Sequence, residues 1–330
     1  MRRDTGSLLI IALVTVSAAT LLALALGAWM GAQSRALEAT RYRRAVREGA
    51  YRAAVLALAE HVLPDTNGWD ALQEPWAREP WERREAGWVM RVSGTGWREE
   101  PGATIGMIDE SGKLPVDRAP MPWLQALFQE VAGVPPEAAA DLARRLIDWQ
   151  DADSEAAGAT GPEAAAYGTR DHPWAAPNRP LACLEELALV PGVDPDLLQA
   201  AMPCLTVVGG GRINLNTAAE PVLRSALRAA AAGDDAAAGR LLERILAYRR
   251  AGQVFTAPAA QAIARALGGL PPDEAALLGR AEGYIAVQAR VVSGVAEATP
   301  ASAWAEGRRG GRAWFAWDRT AGRFIRWIEE

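Results

Sequence analysis

The sequence predicts an α+β chain: an N-terminal transmembrane helix that continues into water, a small antiparallel sheet, and a large all-helical insertion between its strands. Three observations carry this. No charged residue lies between Asp4 and Arg35, and the intervening run is strongly apolar. Strand-like alternation with turn glycines occurs in two separated stretches, near residues 87–114 and 284–330. Between them, residues 121–284 repeat apolar positions at helical spacing.

The opening residues are MRRDTG, a short basic stub. Leu8 to Met30 would form a helix of roughly 34 Å, enough to cross a hydrocarbon core of ~30 Å. Three readings of this end stand side by side: a removable leader ending at Gly6, an ordinary signal peptide with Ala23-Leu24-Ala25 as its cleavage site, and an anchor that is never cut. The run exceeds the h-region of about 7–15 residues that a signal peptide uses. Arg2 and Arg3 precede the span and Arg41, Arg43, Arg44 and Arg47 follow it, well past its end and interleaved with Glu38 and Glu48. Loop charge therefore places the N-terminus in the cytoplasm and the bulk of the chain outside.

Helix formers continue through 31–63, where Tyr42, Val46, Gly49, Ala53 and Leu56 recur every three or four residues. Pro64-Asp65 ends this helix and Asn67-Gly68 signals a turn. Residues 64–120 and 285–330 form the strand region, with Glu110-Ser111-Gly112-Lys113 at a strand end and Asp318–Gly322 as a hairpin loop. The insertion occupies 121–284. Pro135, Pro195, Pro221 and Pro272 sit near helix starts, where a missing N–H costs nothing. Asp194 is expected to cap the helix after it, and Asn216 the one that follows.

The chain has 330 residues and a formal net charge of −5, with arginine abundant and lysine nearly absent. An acidic balance without clustered basic residues argues against bulk nucleic-acid binding. Its two histidines, His61 and His172, are far apart, and neither a G-x-S-x-G elbow nor a P-loop is present; Gly209-Gly210-Gly211 lacks a following Lys-Ser/Thr. Among 13 tryptophans, Trp69, Trp76, Trp81, Trp88, Trp97 and Trp123 gather around the first strands. Core packing accounts for most of these, and exposed members would suit a protein interface.

Three local motifs bear on chemistry. Asp148, Asp151 and Asp153 alternate into an irregular segment that continues to Glu163. Hard cations such as Ca²⁺ collect oxygens from loops of this kind, although the EF-hand glycine and terminal glutamate do not follow. The bland alternative is an acidic helix end running into solvent. Leu189-Val190-Pro191-Gly192-Val193 resembles a helix-hairpin-helix turn, but Glu185, Glu186, Asp194 and Asp196 flank it, so a packing turn is the better reading. Cys183 and Cys204 are too few for zinc. In an oxidising compartment they could form a disulfide, stabilising by ~3 kcal/mol through a loop of about 20 residues. Two buried thiols are the equal alternative.

A basic stub ending in glycine before an apolar helix resembles the leader of type IV pilin-like proteins. That resemblance implies cleavage between Gly6 and Ser7 by a prepilin peptidase. Most pilins and pseudopilins carry a glutamate five residues into the mature chain, where it meets a neighbour's terminal amine. Ile11 stands there instead, which fits a subunit with none above it. The leader, Ile11, the helical insertion and the strings DWQDADSEAAGATGPEAAAY, APNRPLACLEEL and INLNTA together resemble the K-type minor pseudopilins of the type II (general) secretion pathway. The matching positions are Asp148, Asp151, Asp153, Glu163, Tyr167, Asn178, Pro180, Asn214, Asn216 and Thr217, with Pro162 where alanine is usual.

The resemblance implies a pilin-like helix and sheet, and calcium held near Asp148, Asp151, Asp153 and Glu163. It also implies a place at the pseudopilus tip, where the subunit starts and caps assembly with I- and J-type minor pseudopilins. Further implied partners are other pseudopilins and the secretion platform in the inner membrane, with the globular part periplasmic; no enzymatic activity and no nucleic acid are implied. Two rival classes remain: a periplasmic hydrolase using the three aspartates as acid and base, and a DNA-uptake protein using the Pro191-Gly192 turn.

Overall fold

The computed structural model describes residues 4–94, 105–153, 155 and 174–329. Helix α1 (Asp4–Ala57) runs for 54 residues, or ~81 Å, and closes in one widened turn, Leu58–Val62. Its apolar stretch from Leu9 to Met30 is exposed, and the helix is long and apolar enough to cross a membrane.

Beyond α1 come a short helix α2 (Pro75–Arg78) and the strands β1 (Trp81–Glu85), β2 (Trp88–Ser93) and β3 (Ile108–Asp109). The last strands are β8 (Val291–Pro300), β9 (Gly311–Asp318) and β10 (Arg323–Glu329), with helix α10 (Ala301–Ala305) between β8 and β9. They make one six-stranded antiparallel sheet of order β1-β2-β8-β9-β10, with β3 also on β8. Early and late strands thus share a sheet, and everything between them is an insertion.

One side of the sheet lies on α1. Tyr42, Val46, Gly49, Ala53 and Leu56 do face it, as their spacing predicted, joined by Ala50, Ala54 and Ala57. Small residues let the backbones approach closely. A Cβ on Gly49 would press on Ala298 and the Trp88 ring, and one on Gly311 would collide with the Val46 carbonyl. Phe315, Met90 and Val92 fill the space between, all fully buried.

The insertion holds α3 (Met121–Ala132), α4 (Pro136–Asp148), α5 (Pro195–Ala201), α6 (Glu220–Ala231), α7 (Asp235–Arg250), α8 (Ala260–Ala266) and α9 (Pro272–Ala281) around a separate core that includes Leu124, Leu127, Leu146, Leu223 and Leu241. It is helical apart from short strands at its seams. β4 (Leu114–Pro115) pairs in parallel with β5 (Leu205–Thr206), and β6 (Ile213–Asn214) with β7 (Ile285–Ala286). On α9, fully buried Glu274 receives Arg240 at 3.1 Å and Arg244 at 3.0 Å from α7. Asp194 caps α5 through the Leu197 amide at 2.8 Å. Asn216 is not a cap: α6 starts only at Glu220, and the Asn216 amide instead pairs both ways with the Phe255 backbone at 2.9 Å.

Trp76, Trp81 and Trp123 are buried, as core packing predicted, while Trp97 lies outside the described residues. The Pro191-Gly192 turn packs into the insertion: Val190 is buried, Arg145 Nη1 donates to the Pro191 carbonyl at 2.9 Å, and a Cβ on Gly192 would meet Leu142.

Candidate functional site

The acid-rich segment begins where α4 stops. Asp148 occupies the last turn and is buried, as is Trp149. Gln150 then anchors the chain. Its amide nitrogen donates to the carbonyls of Leu146 at 3.0 Å and Val116 at 3.2 Å, and its Oε1 accepts the Leu181 amide at 3.5 Å. Asp151 is half-buried and Asp153 exposed. Asp153 Oδ1 accepts the amide of Glu155 at 2.9 Å.

The structure brings a second segment to this loop. Asn178, in a left-handed conformation at φ 48°, donates its side-chain amide to the Asp153 carbonyl. Its Oδ1 is buried with no hydrogen-bond donor among the described residues. A buried, undonated amide oxygen on a segment bonded to the acid loop is an oxygen of the kind a hard cation takes. Arg179 pairs with Glu186 at 3.3 Å, and Leu181 is buried, so Asn178 is held on a fixed segment. Glu163 and Tyr167 lie outside the described residues. Gln150, the residue that ties the two segments together, carries no sequence signal beyond its place in the string.

Among the described residues, the three carboxylates that converge closely enough to share an ion are different ones: Asp65, Asp70 and Glu74. All their oxygens but one on Asp65 are engaged. Asp70 pairs with Arg319 and accepts the Ala289 amide at 2.7 Å. Glu74 accepts Asn67 Nδ2 at 2.7 Å, the Ala71 amide at 2.8 Å and Trp76 Nε1 at 3.2 Å. Asp65 Oδ2 lies 3.5 Å from Arg319, which already supplies the positive charge. The group is a structural joint rather than a metal centre.

That joint extends to the N-x-N-T string. Asn214 donates to the Asp109 carboxylate and to the Asp70 carbonyl, and Thr217 Oγ1 donates to the same Asp109 oxygen at 2.7 Å. Burial pushes the Asp109 carboxyl up, against these donors. Beside it, buried Glu110 takes Lys113 at 2.9 Å and the Ser293 hydroxyl at 2.5 Å. Burial alone would raise Glu110, but Lys113 and the hydroxyl bonds hold it below its ordinary value. Asn214, Asn216 and Thr217 therefore fasten the insertion to the sheet, at the end of the sheet remote from the apolar part of α1.

Cys183 and Cys204 are free thiols, the first half-buried and the second buried. Burial pushes the Cys204 thiol up to about 11, so it stays protonated and unreactive at neutral pH. Gly6 and Ser7 lie within the backbone course of α1.

Residues 105–210 match the family model described as type II secretion system (T2SS), protein K. This segment includes the acid loop, Asn178, the Pro191-Gly192 turn and both cysteines. No curated protein matches the chain. In fold it is similar to a chain of the GspK-GspI-GspJ complex from the enterotoxigenic Escherichia coli type 2 secretion system. The TM-score is 0.59 at 18% sequence identity, over 91% of this chain and 99% of that one. The resemblance to K-type minor pseudopilins is borne out, in sequence over the matched segment and in fold over most of the chain.

Proposed function

We propose that this chain acts as a K-type minor pseudopilin, which starts and caps a type II secretion pseudopilus from the inner membrane. The single observation that carries the reading is where the bulk lies: a protein K segment that runs from β3 into an insertion joined to the sheet at the end remote from the exposed apolar helix. In this reading, α1 from Leu9 to Met30 packs against neighbouring subunits in lipid, where small and apolar faces associate by close contact. Ile11 offers no carboxylate to a subunit above. The insertion, at the far end, leaves no room for one.

Several finer assignments belong to the same proposal. Prepilin peptidase cuts between Gly6 and Ser7 on the cytoplasmic side, and the globular part stands in the periplasm. The partners are I- and J-type minor pseudopilins, by analogy with the E. coli chain of similar fold, which was solved with GspI and GspJ. Asp151, Asp153 and Asn178, with Asp148 behind them and Glu163 from the adjoining segment, would hold a calcium ion. The ion would supply charge neutralisation and crosslink the acid loop to the Asn178 segment. No catalytic step is assigned to the chain; its role is to be positioned and to bind.

The test is a deletion of residues 121–284 in a secreting strain, with the remaining sheet and α1 retained. Longer pseudopili, with the deleted subunit still inserted in the membrane, are expected. Pseudopili of unchanged length and abundance would sink the steric cap. N-terminal sequencing of the mature protein gives a second check: methylated Ser7 supports the leader, whereas a start after Ala25 or at Met1 contradicts it.

A further inference from the structure

The two sides of the sheet are treated unequally by the rest of the fold. α1 covers the side of Trp88, Met90, Ala298 and Phe315. By strand alternation the other side carries Arg84, Arg91, Arg312, Trp314, Arg326 and Ile328. Two grooves run along it. The first, of about 630 Å³, is bordered by Arg84, Arg91, Trp304 and Arg309. The second, of about 520 Å³, lies between the sheet and the insertion, with Val295, Trp314 and Ile328 facing Met202 and Pro203. Arg312 borders both, so they form one track across the sheet.

The charge of this track is opposite to that of the chain. The whole sequence carries −5, yet the first groove is lined by six arginines and only two glutamates. Both glutamates are already engaged, Glu82 by Arg91 at 3.3 Å and Glu297 by Arg312 at 3.4 Å. Among the described residues, Arg84, Arg309 and, along the second groove, Arg326 have no acidic partner. Trp304 at the lip is 56% exposed, and Ile328 is 44% exposed. Unpaired guanidinium groups beside exposed aromatic and aliphatic side chains suit a ligand that is itself both anionic and apolar.

We propose that this face receives an extended acidic peptide segment of a partner protein. Carboxylates seat on Arg84 and Arg309, and intervening apolar side chains lie on Trp304, Trp314 and Ile328. Crossing from β1 to β10 takes four strand spacings of ~4.8 Å, a distance an extended chain of about six residues spans. The concave half between sheet and insertion fits a single chain rather than a flat lipid surface, and its apolar floor is unlike a phosphate-binding track. The inference stands on the sheet face alone and does not depend on the tip assignment.

The test uses the full chain in nonionic detergent and a dye-labelled peptide alternating glutamate with valine, read by fluorescence anisotropy. A lysine-valine peptide serves as the charge-reversed control. The glutamate peptide is expected to bind and the lysine peptide not. Binding should fail in about 1 M salt, where the screening length falls to ~3 Å. R84E with R309E should weaken it about tenfold or more. Trp304→Ala, which leaves the charges in place, should weaken it less. Both arginines are surface residues, and an unchanged melting curve checks the fold; R84S with R309S replaces the reversal if that fails. Equal binding of both peptides, absence of binding at low salt, or binding undiminished by charge reversal overturns the proposal. So does binding to phosphatidylglycerol vesicles in place of the peptide, which would assign the face to lipid.

Discussion

Asn214 Nδ2 stands 2.8 Å from Asp109 Oδ2, with both residues buried and 105 positions apart in sequence. The same nitrogen reaches the Asp70 carbonyl at 3.1 Å. One amide therefore ties the seam strand β6 to the sheet and to the chain leaving α1. Asn214→Ala would leave a buried carboxylate short of a donor. The expected loss is about 2–3 kcal/mol, with Thr217→Val, which removes another side-chain donor, costing about 1 kcal/mol. Denaturant midpoints followed by tryptophan fluorescence rank the two; an Asn214→Ala midpoint equal to wild type contradicts the joint.

Asp70 makes the joint pH-dependent. Burial pushes its carboxyl up to about 7, with the Arg319 guanidinium and the Ala289 amide opposing and Asp109 adding to the rise. In the unfolded chain the same group titrates near ~3.9. Between those values the folded state holds a proton that the unfolded state has released. Stability should therefore fall as pH rises from about 4 to about 7 and level off beyond, by roughly 1–4 kcal/mol. Glu110 acts oppositely, since its carboxyl is held below its ordinary value and its contribution is lost only on further acidification. Asp70→Asn should remove most of the slope whatever it does to the absolute midpoint. A wild-type midpoint that is flat from about pH 5 to about pH 7.5 would show that Arg319 fully offsets burial.

Calcium should stabilise the chain if the acid loop and Asn178 hold it. At about one hundred times the dissociation constant the gain is ~2.7 kcal/mol. Among the described residues the Asn178 Oδ1 has no donor, so Asn178→Ala should abolish the calcium-induced rise in melting temperature, over a baseline cost of about 1–2 kcal/mol from the lost bond to Asp153 and the left-handed φ. Magnesium, which demands a tighter octahedral shell, should give much less. A melting curve that EGTA and calcium leave unmoved would falsify the assignment.

Glu274 supplies a control outside the acid loop and outside the arginine-lined grooves. Its side chain is fully buried between two arginines of α7 that are themselves half-exposed. Glu274→Gln keeps the shape and loses the charge. Because water can resolvate the arginines, the expected cost is about 1–2 kcal/mol rather than that of a fully buried pair. Thermal unfolding checks it, and calcium response and peptide binding should remain as in wild type.

The legible parts of this fold were those written in local pattern. The α1 face at Tyr42, Val46, Gly49, Ala53 and Leu56, the Asp194 cap and the strand-insertion-strand order all follow from spacing. Pairings between distant residues were not legible. Nothing in the sequence marks Arg319 as the partner of Asp70, because an isolated arginine in a hairpin loop looks like any solvated charge. Asn216 failed as a cap for a local reason, since Pro221 sets the helix start and leaves Asn216 outside its first turn. Of the acid loop, spacing alone offered Asp148, Asp151 and Asp153. The contribution of Asn178 depends on Gln150 folding the two segments together, and that is a tertiary fact.

A close approach of α1 to the sheet yields the last prediction. Gly311 opens β9 with its backbone against the Val46 carbonyl, and any Cβ there would overlap that oxygen. Neither side can yield cheaply. Val46 is mid-helix, with its carbonyl committed to the helical ladder, and Gly311 is locked by pairing with Ala298 on β8. Gly311→Ala must therefore lift the helix from the sheet or bend the strand, at a cost of about 1–3 kcal/mol from overpacking. Gly307→Ala, in the loop before β9, meets nothing within reach of a Cβ but sits at φ 68°. It should cost only the backbone strain, roughly 1 kcal/mol. Limited proteolysis separates the two effects. Gly311→Ala is expected to expose α1 near Arg47 to trypsin, whereas Gly307→Ala should leave that site protected. Equal protection in both would mean that the sheet accommodates the methyl group and that close packing at Val46 does not set the position of the helix.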